Sequence, residues 1–241
     1  MLPTAPFAKT ALLIAALWLA MGAGVPPPAI NPSVIDRLFD DDERAEFAVP
    51  RPGSYALPVI KPAAGGEVLT IDGRTVRLED YVRGKITILS FIYTLCSDAR
   101  GCPLAMATLY DLHDASARLP AAARKVRLVT LSFDPRHDTP EAMKSYAMPV
   151  LADRKRSAKM PWHFLTTASP AKIAPILEAY GQVVDRSGGE ATINHLLRLY
   201  LVDRHGDIRN IYGLGLLDPR LLFADVLTLL MEQTAKPAKP H

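Results

Sequence analysis

The hydrophobic pattern changes period several times along the chain, and each change marks an element. Residues 86–93, Ile-Thr-Ile-Leu-Ser-Phe-Ile-Tyr, form a nearly unbroken apolar run, the signature of a strand covered on both faces. A polar loop follows. Leu104, Thr108, Leu112, Ala115 and Leu119 then recur at the spacing of an amphipathic helix, with Pro103 suited to its first position. Residues 126–133 (VRLVTLSF) read as a second buried strand ending at Asp134-Pro135. Asp138-Thr139-Pro140-Glu141 opens the next helix, with Asp138 as N-cap and Glu141 completing a capping-box-like pair. Residues 162–166 predict a short strand. Ser169-Pro170 opens a helix with Ile173, Leu177 and Tyr180 on one face and Gly181 as its stop.

The flanking segments read differently. Residues 68–71 and 75–78 flank Asp72-Gly73, a two-residue hairpin signal. A polar excursion over 185–192 leads to Ile193-Asn194-His195. Residues 196–202 predict a strand, 203–207 a turn and 208–212 its hairpin partner. Asp218-Pro219 begins a final helix with Leu222, Val226 and Leu229 inward. Alternating strands and helices with an antiparallel ending imply an α/β fold: a mixed central sheet with helices on both faces. A thioredoxin-like fold fits this order.

Before the first strand the pattern is not that of a folded domain. Residues 1–9 carry one positive charge, residues 10–25 none, and Ala20-Met21-Gly22 offers a small-x-small cleavage signal. Residues 1–25 therefore read as a signal peptide or an N-terminal anchor, although the uncharged stretch is short for a bilayer span. The expectation is an exported protein, periplasmic, either soluble or tethered to the inner membrane by that segment. Residues 26–54 form a Pro-rich linker or arm with a short helix around 33–39 and a solvated acidic patch, Asp40-Asp41-Asp42-Glu43. One domain spans 55–234, and 235–241 reads as a disordered tail.

Charge narrows the partners. The formal net charge is +3, and removing residues 1–25 deletes only Lys9. With no basic stripe, neither nucleic acid nor an anionic membrane surface is implied, and a monomer is expected.

Cys96 and Cys102 are the only two cysteines, and one strand-loop-helix brings both together. Cys102 falls at the helix N-terminus, where the dipole and free backbone N–H groups favour a thiolate. This is a thiol site. In an exported chain a plain structural disulfide is the other reading of the pair.

Three blocks carry a family resemblance. Gly84-Lys85 with Tyr93-Thr94-x-Cys96 and Cys102-Pro103 is similar to the opening motif of the Sco/SenC family of copper-binding, thioredoxin-like proteins. Leu131-Ser132-Phe133-Asp134-Pro135-x-x-Asp138-Thr139-Pro140 resembles its strand-to-helix segment. Asn194-His195, followed by Leu199-Tyr200-Leu201-Val202-Asp203 and Gly206, resembles its histidine strand. The blocks stand in order within residues 69–231. The resemblance implies a copper ion held by Cys96, Cys102 and His195, and a role in assembling the copper centre of a respiratory oxidase. It also implies partners among oxidase subunits or other thiol or copper proteins, some members looking more like thiol–disulfide reductants. The chain departs from the family's usual Cys-x3-Cys spacing, because Ser97, Asp98, Ala99, Arg100 and Gly101 separate the two cysteines. The loop must bulge by two residues, and Gly101 is placed to let it return.

The chemistry agrees with the resemblance. Soft thiolates select copper(I) or zinc, and an imidazole completes a set of two sulfurs and one nitrogen, whereas structural zinc wants a fourth ligand. His113 is expected on an exposed helix position, His137 and His205 in turns, His163 near a strand start and His241 in the tail. Asp98 and Arg100 read as solvent-facing loop charges, with a thiolate-tuning role as the alternative. Asp134 and Asp138 resemble paired acid/base carboxylates, but a strand-end turn and an N-cap account for them. Three function classes stand open: a copper-binding assembly factor, an extracytoplasmic thiol–disulfide oxidoreductase using the Cys96/Cys102 dithiol, and a domain merely stapled by one disulfide. A peroxidase of the peroxiredoxin type is disfavoured, because Thr94-Leu95-Cys96 lacks that family's longer Thr-to-Cys spacing.

Overall fold

The computed structural model describes Leu38 and residues 48–96, 98–185 and 194–234. The expectations for residues 1–25, for most of the arm, for the excursion after Asp185 and for the tail lie outside the described residues. Of the expected arm helix, Leu38 is helical and buried, and its carbonyl accepts a hydrogen bond from Arg118 Nη1 at 3.1 Å. Among the described residues no helix is long and apolar enough to cross a membrane.

In chain order the elements are β1 (Lys61–Pro62), β2 (Glu67–Thr70), β3 (Thr75–Arg77), α1 (Glu79–Val82), β4 (Ile86–Ile92), α2 (Cys102–Ser116) and α3 (Pro120–Ala123). Then come β5 (Val126–Ser132), α4 (Pro140–Tyr146), α5 (Met148–Leu151), β6 (Trp162–Thr166), α6 (Pro170–Tyr180), β7 (Val184–Asp185) and β8 (Asn194–His195). The chain closes with β9 (Leu199–Val202), β10 (Asp207–Tyr212) and α7 (Pro219–Thr234).

Eight strands form one sheet in the order β1-β10-β9-β4-β5-β6-β2-β3. β4, β5 and β6 are parallel, and β9, β10 and the β2–β3 hairpin run antiparallel to their neighbours. Every residue of β4 is buried, as its apolar run requires of a central strand. Register sorts the core into two faces. Phe91, Leu131 and Leu165 stand side by side, and Phe91 packs on Tyr180 of α6 with ring centroids 5.2 Å apart. On the opposite face, Trp162 of β6 meets Tyr110 and His113 of α2 at 5.0 and 5.4 Å. The mixed sheet with helices on both faces is the expected thioredoxin-like arrangement.

Several local expectations are corrected. Thr139, not Asp138, caps α4, its side chain accepting from Ala142 N at 3.3 Å. His113 is 2 % exposed, because its position in α2 faces Trp162 rather than solvent. The hairpin connection spans residues 71–74 rather than two residues, closed by Thr70 N to Arg74 O at 3.0 Å with Gly73 at φ +76°. The strand expected over 196–202 begins only at Leu199, while His195 lies in β8, which pairs with β7 in a separate two-stranded sheet. Pro103 is the second residue of α2, and Cys102 is the first.

Candidate metal centre

The C-terminal ends of β4 and β5, the first turn of α2 and the short strand β8 meet at one place. β4 runs out at Ile92, and the chain turns at once: Cys96 N donates to Tyr93 O at 3.3 Å. A second turn follows, in which Gly101 N donates to Asp98 O at 2.8 Å and Arg100 N to Asp98 Oδ1 at 3.0 Å. This second turn takes up residues 98–101, four of the five between the cysteines. Gly101, at φ −96° and ψ −128°, is also needed for closeness: a Cβ there would stand 3.1 Å from Cys96 Sγ and 3.2 Å from Asp98 O.

The result brings Cys96 Sγ, Cys102 Sγ and an imidazole nitrogen of His195 within 4.8 Å of one another. Cys102 Sγ lies 3.5 Å from His195 Nε2. Both cysteines are free thiols, Cys96 half-buried and Cys102 fully buried. The ring of His195 is held edge-on by Tyr93 at 5.8 Å and tilted against Phe133 at 4.9 Å. Sequence reasoning met these two aromatics only as members of the motif blocks and gave neither a part in the site; each directly follows a strand end, Tyr93 after Ile92 of β4 and Phe133 after Ser132 of β5.

Burial dominates the electrostatics. It pushes the Cys102 thiol well above its ordinary range; the nearby Cys96 sulfur acts the same way, and backbone hydrogen bonding at Tyr93 opposes it. This corrects the expectation of a thiolate at the helix N-terminus. A helix end favours an anion by about 1 kcal/mol, whereas enclosing an unpaired charge costs roughly several. Burial also lowers the His195 pKa, against a backbone hydrogen bond at Leu196 and the Asp98 carboxylate. The imidazole is therefore neutral at neutral pH and keeps a lone pair to offer a metal.

The remaining candidates fall elsewhere or play other parts. Asp98 and Arg100 are exposed, as expected for loop charges. Asp134 is buried and holds His137 Nδ1 at 2.7 Å. Asp138 is fully buried and accepts from Thr94 and Ser132. A second group of ligand-type side chains, His113, Asp114 and Asp153, already has a cation: Lys159 Nζ lies 2.5 Å from both carboxylates. That group is an ion-pair cluster.

Two cysteines and a histidine presented at the strand ends of such a sheet define a thioredoxin-like protein with a thiol and imidazole centre. The chain belongs to the SCO1/SenC family, whose model matches residues 67–230. Over 145 residues it is 31% identical to the SCO1 protein homolog of Bacillus subtilis, covering 59% of this chain and 68% of that protein. Among solved structures it resembles BsSco, described as a member of the Sco family of cytochrome c oxidase assembly proteins with a disulfide switch. That match has a TM-score of 0.56 at 25% identity over 73% of this chain and 98% of the other. Copper-bound ScoI of Arabidopsis thaliana shares the fold, with a TM-score of 0.54 at 22% identity over 70% of this chain and 98% of that one.

Proposed function

We propose that this protein is a copper-binding assembly factor for the copper centre of a respiratory oxidase, carrying copper on Cys96 Sγ, Cys102 Sγ and His195 Nε2. The observation that carries this reading is the convergence of two sulfurs and one nitrogen within 4.8 Å. Two thiolates and an imidazole suit copper(I). Zinc in a structural site wants a fourth protein ligand, and among the described residues no other His, Cys, Asp or Glu joins the group. A cation between the sulfurs also offsets the charge that burial otherwise denies to Cys102. Membership of the SCO1/SenC family supports the same reading. The partner is then an oxidase subunit or another copper or thiol protein. Residues 1–25 serve to export the chain, and the domain over 55–234 works in the periplasm, soluble or tethered.

The test is a titration of the purified, reduced protein with copper. One equivalent bound, with thiolate-to-copper charge-transfer absorption in the Cu(II) form, is expected. Uptake without that absorption, or unchanged uptake by a Cys96→Ser/Cys102→Ser double variant, overturns the assignment.

One observation favours a second reading, a thiol–disulfide oxidoreductase: Cys96 is half-buried while Cys102 beside it is enclosed. In that reading the Cys96 thiolate attacks a client disulfide and one client thiol leaves. Cys102 then attacks Cys96 in the mixed disulfide, the second client thiol leaves, and the Cys96–Cys102 disulfide remains. Two electrons pass to the client.

A further inference from the structure

We propose that Asp138 is a positioning residue for the cysteine loop: its buried carboxylate fixes the turn that sets Cys96 opposite Cys102 and His195. The proposal rests on Cys96 being a metal-binding or redox thiol, as above.

Asp138 is fully buried, and a carboxylate in such a place needs a reason. Capping α4 is not that reason, since Thr139 does it. Instead the carboxylate reaches across 44 residues to the exit of β4. Thr94 N donates to Oδ2 at 3.1 Å, and Thr94 Oγ1 donates to Oδ1. Ser132 Oγ donates to Oδ2 as well; Ser132 Oγ itself accepts from Asp134 N at 3.0 Å, so its proton is directed at Asp138. Three donors thus converge on the two oxygens of one buried carboxyl group.

The place being held is what matters. Thr94 lies inside the turn closed by Cys96 N and Tyr93 O. The residue between Thr94 and the thiol, Leu95, is exposed. On the other side of Cys96 the loop bulges over Asp98 and Gly101. The carboxylate is therefore the buried fixture from which the position of Cys96 Sγ is set, while Cys102 is set independently by α2. An asparagine at 138 offers one accepting oxygen and turns an amide N–H toward a hydroxyl donor.

The experiment compares Asp138→Asn, Thr94→Val and Thr94→Ser with the wild type, with Asp225→Asn as control. Asp225 is likewise a buried carboxylate; it accepts from Tyr55, Asn210 and Tyr212 on the α7 side of the fold. Three quantities are read: unfolding midpoint, copper affinity by competition with a chelator, and the alkylation rate of Cys96 in the reduced, metal-free protein. Asp138→Asn and Thr94→Val are expected to weaken copper about 10- to 100-fold, as loss of an outer support typically does, and to shift the Cys96 alkylation rate several-fold. Thr94→Ser keeps the hydroxyl and stays near wild type. Asp225→Asn lowers the midpoint and leaves the other two quantities unmoved. Folded Asp138→Asn and Thr94→Val proteins with wild-type affinity and alkylation overturn the proposal. Should Asp138→Asn not fold, Thr94→Val and Ser132→Ala carry the same decision. If the wild type takes up no copper, the copper reading fails, and the alkylation rates alone decide the role of Asp138.

Discussion

Cys102 Sγ and His195 Nε2 stand 3.5 Å apart although 93 residues separate them in the chain. The first residue of α2 and the last of β8 meet there, between the aromatic rings of Tyr93 and Phe133. Everything the centre does depends on that long-range contact being held.

Replacing His195 by alanine separates the two readings of the site. As a metal ligand its loss leaves two sulfurs, and copper affinity should fall by orders of magnitude. As a neighbour of a redox dithiol its loss should leave disulfide exchange largely intact. The ring also packs on Tyr93 and Phe133, so a stability loss of about 1 kcal/mol is expected from those contacts. Chelator competition and disulfide exchange on the same preparation give the answer; wild-type copper affinity in His195→Ala would remove it from the ligand set.

The two sulfurs should differ in reactivity. Cys102 is enclosed and burial holds it as a thiol, whereas Cys96 is half-buried. Iodoacetamide on the reduced protein should label Cys96 first, and peptide mapping at early times checks the order. Equal labelling in the folded protein would mean that Cys102 is not enclosed.

Gly101→Ala places a Cβ 3.1 Å from Cys96 Sγ and 3.2 Å from the Asp98 carbonyl. The sulfur can yield only by leaving its position. Copper affinity or the dithiol potential should change, since both depend on sulfur placement. Deleting Ala99 and Arg100 removes the middle of the Asp98–Gly101 turn and should act in the same way. Unaltered affinity and potential in both variants would show that loop length does not tune the centre.

Stability should fall in mild acid through His163. Burial lowers its pKa from 6.5 to about 4, helped by Arg127 and Lys85, and its ring sits edge-on to Tyr81 at 5.0 Å. Between those values the unfolded chain binds the proton and the folded one does not. The contribution is therefore complete above about pH 6.5 and is lost as pH drops toward 4. At 1.36 kcal/mol per pH unit the difference amounts to at most roughly 3 kcal/mol, less for the ring's residual contact with solvent. Urea unfolding at several pH values checks it, and His163→Leu should flatten the slope over that range.

The strands and helices that carry the centre are legible in the sequence because they rest on local periodicity. The apolar run at β4 and the spacing of Leu104, Thr108 and Leu112 specify buried strand and helix wherever they occur. The cysteine pair is equally local, since one strand-loop-helix unit must bring the two thiols together. The three blocks in order placed His195 in the same group, a pairing that spacing alone does not reveal.

Tertiary structure decided the rest, and burial is the common physical reason. The helical dipole argument at Cys102 was outweighed by enclosure. The residue suited by type to cap α4, Asp138, was drawn inward by three donors at the strand ends, leaving the cap to Thr139. His113 went against Trp162 because packing of α2 on the sheet, not the polarity of the residue, sets which face is covered. Whether a polar side chain is solvated, paired or enclosed depends on neighbours distant in the chain, and local pattern carries no record of them.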